Sequence, residues 1–224
     1  MTQAFKNPGV IIGFTRERPC LGRHADNVCL AVSGAVLEGA QAGVRSLLAQ
    51  KCDALLSFGV CGGLQENLKV GDVVLASCVV QQDGTSYASD ARWLARLQDR
   101  TRGLPFVQTG RLLGSDVLVP GIKAKQELGL RHNALCVDME SHIAARGAHK
   151  QGVPFMAIRA VVDEVATEIP STLYTIIDAD GSYRWGALMS VVMRPSHWGA
   201  VFSLWRHMAR ASASLRRVAQ GALF

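Results

Sequence analysis

Short apolar runs alternate with segments of helical spacing along most of this chain, and that alternation limits the fold more than any other feature. Val10-Ile11-Ile12-Gly13-Phe14, Val28-Cys29-Leu30-Ala31-Val32, Ala54-Leu55-Leu56-Ser57-Phe58, Val70 to Ala76 (continued by Val79-Val80), Phe106 to Gly110 and Ala157 to Val162 each read as a buried strand. Between them, Val36 to Gln50 places Val36, Leu37, Ala40, Val44, Leu47 and Leu48 at helical spacing. Arg92 to Arg102 reads as a charged, solvated helix, Lys123 to Leu128 as a short helix, and His142 to Ala148 as another. Strands interleaved with helices predict an α/β fold: one three-layer domain whose central sheet is mixed, mostly parallel and flanked by helices. That domain is expected over residues 1–180. Residues 181–224 read as a basic, Trp-rich helical extension of it.

Composition narrows the class. A chain of 224 residues with 49% hydrophobic residues builds a real core and is too apolar for disorder. The net charge of +6 is uneven. From Gly181 to Phe224 there is no Asp or Glu, against arginines at 184, 194, 206, 210, 216 and 217. A basic excess confined to the tail argues for a local anionic contact and against a nucleic-acid-binding protein. The cysteines at 20, 29, 52, 61, 78 and 136 form no CxxC pair and no Cys/His cluster, so reduced buried thiols are expected, and no zinc site. No signal-peptide pattern opens the chain, and no apolar run reaches the roughly 18 residues of a spanning helix. A cytoplasmic location follows as an expectation.

The chemistry concentrates at two carboxylates. Val137-Asp138-Met139-Glu140-Ser141 lies between an apolar entry, Leu135-Cys136, and a helical segment, which sets Glu140 at a strand-to-helix turn where α/β proteins bind ligands. Asp163 ends the apolar run that begins at Ala157, a lone acid at the carboxyl end of a buried strand. Gly59-Val60-Cys61-Gly62-Gly63 follows strand three and suits close backbone approach to a ligand. Its spacing is neither GxGxxG nor GxxxxGK[ST], so neither nucleotide fingerprint applies. Thr15-Arg16-Glu17-Arg18-Pro19 reads as a polar loop after the first strand, placed either to meet a ligand or simply to be solvated.

The tail has a face of its own. Trp185 to Met193 reads as an apolar helix ended by Arg194-Pro195, after a polar loop from Glu164 to Ser171. Trp198, Val201, Phe202, Trp205, Met208, Ser212 and Leu215 then share one side of a helix, with Arg206, Arg210 and Arg217 mainly off it. Aromatic residues flanked by arginines match an interfacial helix, so 185–217 is expected to touch a membrane surface. An ordinary helix packed on the sheet fits the same spacing.

Four stretches taken together carry a family resemblance: Ser57 to Leu64, Leu68 to Val74, Val137-Asp138-Met139-Glu140, and Ile158-Arg159-Ala160-Val161-Val162-Asp163. In order and spacing, from about Val10 to Ala166, they resemble the purine nucleoside phosphorylase / methylthioadenosine nucleosidase superfamily. The first loop and the Trp-rich basic tail look most like the hopanoid-associated phosphorylases, which release adenine from adenosylhopane. The resemblance implies cleavage of an N-glycosidic bond, by phosphate or by water, with no cofactor beyond phosphate as a co-substrate, in a homo-oligomer, and the tail is expected to bring that protein to the inner membrane face. It assigns Asp163 to protonation of the departing purine, Glu140 and Met139 to the ribose, and Leu118 and Val119 to the base. Glu17 is implied as the water-activating acid, although an ungapped match sets Arg18 at that place. Arg16, Arg18, Ser33, Gly34, Cys61 and Gly62 are implied at the phosphate or water site. Val60 departs from the Ser or Thr of many relatives, which weakens a phosphate site.

Three other readings stand beside this one. A purine nucleosidase or phosphorylase for adenosine or methylthioadenosine needs no lipid-facing tail. A non-catalytic nucleoside-binding, membrane-peripheral module needs no leaving-group acid. A cysteine hydrolase using Cys61 requires a nearby His and a depressed thiol pKa.

Overall fold

A computed structural model describes residues 5–168, 198–221 and 223–224. Strands β1 (Pro8–Ile12), β2 (Cys29–Val32), β3 (Ala54–Gly63), β4 (Val73–Gln81), β5 (Ser86–Ala88), β6 (Val107–Gly114), β7 (Cys136–Asp138) and β8 (Phe155–Asp163) form one mixed, mostly parallel sheet. The helices are α1 (Leu37–Ala49), α2 (Ala91–Thr101), α3 (Ile122–His132), α4 (Ser141–Gln151) and α5 (Trp198–Gln220), with a 3-10 helix at Thr15–His24. The expected α/β domain is what the chain forms.

The sheet also closes on itself. β3 pairs β7, β7 pairs β6, β6 pairs β4, and β8 bridges β4 and β3, so these strands make a ring. The side chains of β1 alternate across the sheet: Ile11 joins the apolar cluster with α1 and α4, while Val10 and Ile12 join the one with α2, α5 and the 3-10 helix. Leu55 and Leu56 of β3, and Val74 and Leu75 of β4, divide in the same way. This period-2 division produces the three layers.

Several sequence expectations change. The Gly59–Gly63 stretch does not follow β3 but is its end, and the ten residues of the strand run through it. The loop at Thr15–Pro19 is helical, because Glu17 N–H donates to Phe14 O at 2.8 Å and starts a 3-10 turn. Strand β5, which periodicity did not mark, pairs with β4 in an antiparallel hairpin. Helix α2 is less solvated than its charge implied, since Trp93, Leu97 and Thr101 are buried beneath it. Asp90 caps it by accepting the Trp93 N–H at 2.8 Å. The Trp93 indole donates to Leu223 O at 2.6 Å and packs beside Phe5 and Phe224, so α2 anchors the end of the chain.

Helix α5 packs on the sheet in its later turns and exposes aromatic rings in its earlier ones. Ala211, Leu215, Val218 and Ala219 are buried against the sheet. Earlier in the same helix, Phe202 and Trp205 are 60% and 65% exposed, with their rings stacked at 6.3 Å. The predicted Trp185–Met193 helix, the remainder of the 164–171 loop beyond residue 168, and the side chains of Trp198 and Val201 lie outside the described residues. Among the described residues, no helix is long and apolar enough to cross a membrane.

Candidate active site

The 3-10 helix decides which residue of the first loop faces inward. With three residues per turn, Phe14, Glu17 and Cys20 share a side. Glu17 and Cys20 are buried, whereas Arg16, Arg18 and Pro19 are exposed. The Glu17 carboxylate accepts the Gly13 and Phe14 N–H groups at 2.8 and 3.0 Å on one oxygen, and Val60 N–H at 2.9 Å on the other. Arg16 stacks over the Phe14 ring at 5.9 Å, and Arg18 reaches Asp26 at 3.5 Å. Helical rather than loop geometry thus turns Glu17, and not Arg18, to the interior.

Gly59 makes this arrangement possible. A Cβ there would lie 2.6 Å from Glu17 Oε1 and 2.7 Å from the Arg159 guanidinium, so only glycine admits both groups. Arg159 extends from the centre of β8 on the face shared with α4, in register with Gly59 on β3 and Val74 on β4. It is 1% exposed. Its Nε pairs with Asp138 Oδ2 at 2.6 Å and its Nη2 with Glu140 Oε2 at 3.1 Å. Nη2 also donates to Ser57 Oγ at 2.5 Å, and the Ser141 hydroxyl donates to Asp138. The other Glu140 oxygen accepts the Ser33 hydroxyl at 3.1 Å, and Ser33 Oγ in turn accepts Ala35 N–H. Gly34 follows with φ of 67°, in the left-handed region that favours glycine.

Three buried acids thus share one guanidinium. If all were ionised, two negative charges would stay uncompensated in a dry environment, so protons must be retained. Burial raises the Glu17 pKa despite Arg159 and the three N–H donors. Burial likewise raises Glu140, to about 7, with Arg159 opposing and Asp138 and Glu17 adding repulsion. Burial alone would lower Arg159, but Asp138, Glu140 and Glu17 hold its pKa above the usual value.

Asp163 forms a second centre. The β3–β8 register shifts at Cys61/Gly62, so Gly62 faces Asp163 instead of the residue before it. Such a bulge re-aims one side chain without ending the strand. A Cβ on Gly62 would sit 3.2 Å from Asp163 Oδ2, tight enough to explain the glycine. Lys125 of α3, fully buried, donates to Asp163 Oδ2, to Glu164 O at 3.3 Å and to Thr167 O at 2.8 Å. Burial raises the Asp163 pKa, while Lys125 and His207 of α5 counter it. Gly59 and Gly62 are three residues apart on β3, so the two centres lie roughly 10 Å apart along the strand.

The remaining predicted residues divide. Met139 is half-buried between Asp138 and Glu140. Val119 is buried and Leu118 is 42% exposed, on the segment between β6 and α3. Asp116 on that segment reaches His142 at 2.9 Å and ties it to the start of α4. Cys61 is buried, and its thiol pKa is pushed well above the usual value by burial and by Cys136, the opposite of the depressed pKa a nucleophilic thiol requires. Among the described residues, no group of His, Cys, Asp and Glu side chains could hold a metal ion.

Arg159, Asp138, Ser57, Ser141, Lys125 and His142 were not among the expected site residues. Arg159 had a readable signal, a lone charge inside an apolar strand. Lys125 had none, as its lysine-rich helix reads as solvated.

Residues 13–176 match the model of the Phosphorylase superfamily. The chain belongs to that superfamily. It is similar to the 5′-methylthioadenosine/S-adenosylhomocysteine nucleosidase of Thermotoga maritima, 31% identical over 117 residues, covering 50% of this chain and 54% of that protein. The aligned region thus spans about half the length of that relative. The structure of the 5′-methylthioadenosine/S-adenosylhomocysteine nucleosidase from S. pneumoniae with a transition-state inhibitor superimposes at a TM-score of 0.73 and 19% identity, over 97% of this chain and 98% of that one. Futalosine hydrolase of Helicobacter pylori gives 0.72 and 15%, over 98% of each chain. These structures share the fold.

Proposed function

We propose that this protein cleaves the N-glycosidic bond of a purine nucleoside, with water as the nucleophile. The observation that carries the reading is the inward, buried Glu17 carboxylate beside Glu140, with Asp163 further along β3. Cleavage needs the base to leave and the ribose to bear cationic character. Glu140 and the Ser33 hydroxyl are suited to hold ribose hydroxyls and stabilise that charge. Asp163 is suited to protonate the purine at N7, which makes it a better leaving group. Glu17 is suited to accept the proton of the attacking water. Arg18, paired with Asp26 on the exposed side, favours water over phosphate.

The preferred substrate is an adenosine with an apolar 5′ substituent, of which adenosylhopane is the case suggested by the hopanoid-associated branch. Helix α5 supports this: His207 lies close enough to Asp163 to lower its pKa, and the stacked, exposed Phe202 and Trp205 precede it within about one and a half turns. The basic tail would then meet an anionic membrane surface. Adenine release from adenosylhopane, adenosine and methylthioadenosine, each with and without phosphate, tests all of this. Release from the hopanoid without phosphate supports the reading. Release from small nucleosides alone rejects its lipid part, a strict phosphate requirement rejects water, and no release from any substrate rejects the activity.

A further inference from the structure

We propose that the leaving-group acid is a buried Lys125–Asp163 pair rather than Asp163 alone, with Lys125 the positioning residue that orients Asp163 and resupplies its proton. This rests on the purine-releasing reading above.

The geometry comes first. A lysine is rarely fully buried unless paired. Lys125 is 0% exposed, and its three N–H donors meet three acceptors: Asp163 Oδ2, Glu164 O and Thr167 O. That completes the ammonium's donor capacity. The two carbonyl contacts hold the backbone after β8, so one side chain from α3 sets both the acid and the segment next to it. Gly62 leaves room for the carboxylate on the other side.

The chemistry follows. An ionised Asp163 cannot protonate a purine. A buried ion pair in a dry site, however, differs little in free energy from its neutral form, because desolvation offsets the attraction. As the base enters and excludes water, a Lys125 N–H bond breaks and an O–H bond forms on Asp163. That O–H bond then breaks as an N–H bond forms at purine N7, and the electron pair of the glycosidic bond goes to the base. The proton of the attacking water passes to Glu17. After the products leave, Glu17 gives its proton up to solvent and solvent returns one to the Lys125 amine. Two other ionisable groups border the pair. His207 of α5 lowers the Asp163 pKa, and Glu164 turns its carboxylate to Lys69 at 3.2 Å and to Val70 N–H.

The test is the pH–rate profile of purine release for wild type, Lys125→Met and Lys125→Arg, with folding checked by near-UV circular dichroism. Lys125→Met should lose at least about 100-fold in kcat near pH 7.5, the usual weight of a general acid. It should regain at least about 10-fold of that loss as the pH is lowered and Asp163 takes its proton from solvent. Lys125→Arg keeps the charge but not a transferable proton, so it should fold and remain slow at neutral pH. A wild-type profile in either variant overturns the proposal, as does a loss in Lys125→Met that is uniform across pH. Where Lys125→Met fails to fold, Lys125→Arg decides alone. A wild type inactive on every purine nucleoside overturns the activity and this inference together, whereas an active wild type with insensitive variants overturns only the inference.

Discussion

The two charged centres along β3 are built on opposite balances. Around Gly59, Glu17, Asp138 and Glu140 surround the one guanidinium of Arg159. Beside Gly62, Asp163 faces one ammonium from Lys125. Both are dry, yet they handle charge differently. The first holds more acids than it can compensate and must keep protons on some of them. The second is balanced one to one, so its charges compensate within a pair. An excess of acid suits accepting a proton and stabilising a cation. A balanced pair suits delivering a proton on demand.

The largest expected effect tests the first centre. Arg159→Met leaves the acids without a cation and should cost about 3–5 kcal/mol in a urea melt, or prevent folding. A loss under about 1 kcal/mol would mean that the acids are already neutral, and the contrast between the centres would weaken. At the second centre, Asp163→Asn should lower turnover by about 10²- to 10⁴-fold while still binding adenine, as read by single-turnover kinetics and product titration. Unchanged turnover would remove Asp163 from proton delivery.

A pH series sharpens the difference further. Folded Glu140 holds its proton to about pH 7, against 4.5 for the ordinary carboxyl. The folded state therefore binds more protons than the unfolded state in that window. Stability should fall as pH rises from 4.5 to about 7, by up to about 3 kcal/mol from this group. Glu140→Gln should flatten that slope in urea melts between pH 5 and 8, with Glu17 leaving a residual trend of the same sign. A slope unchanged in the variant would assign the retained proton to another acid. The smallest effect belongs outside both centres. Arg18→Ala should change stability by less than about 0.5 kcal/mol and leave kcat unaltered. A marked loss of activity would return Arg18 to the site.

Much of this could be read in the chain. The alternation of apolar runs and helical spacing marks β1, β3, β8, α1 and α4 within a few residues, because a buried strand and an amphipathic helix each impose a local period. Glu140 and Asp163 stand out because a carboxylate at the end of an apolar run has no packing reason to be there. The inward turn of Glu17 was less legible, since its choice over Arg18 depends on a 3-10 phase that a polar pentapeptide does not announce. The bulge opposite Gly62 left no local signature either.

What the sequence by itself determined is the order of strands and helices, the class of fold and the identity of the acids, all of which follow from short-range periodicity and from charges placed against it. What only the tertiary structure decided is how those acids are partnered. Arg159 comes to Glu17 across the β3–β8 register, and Lys125 comes to Asp163 from a helix 38 residues earlier in the chain. Charge compensation in a dry interior acts over a few ångströms of space. Separation along the chain does not encode it, so it appears only once the sheet has closed.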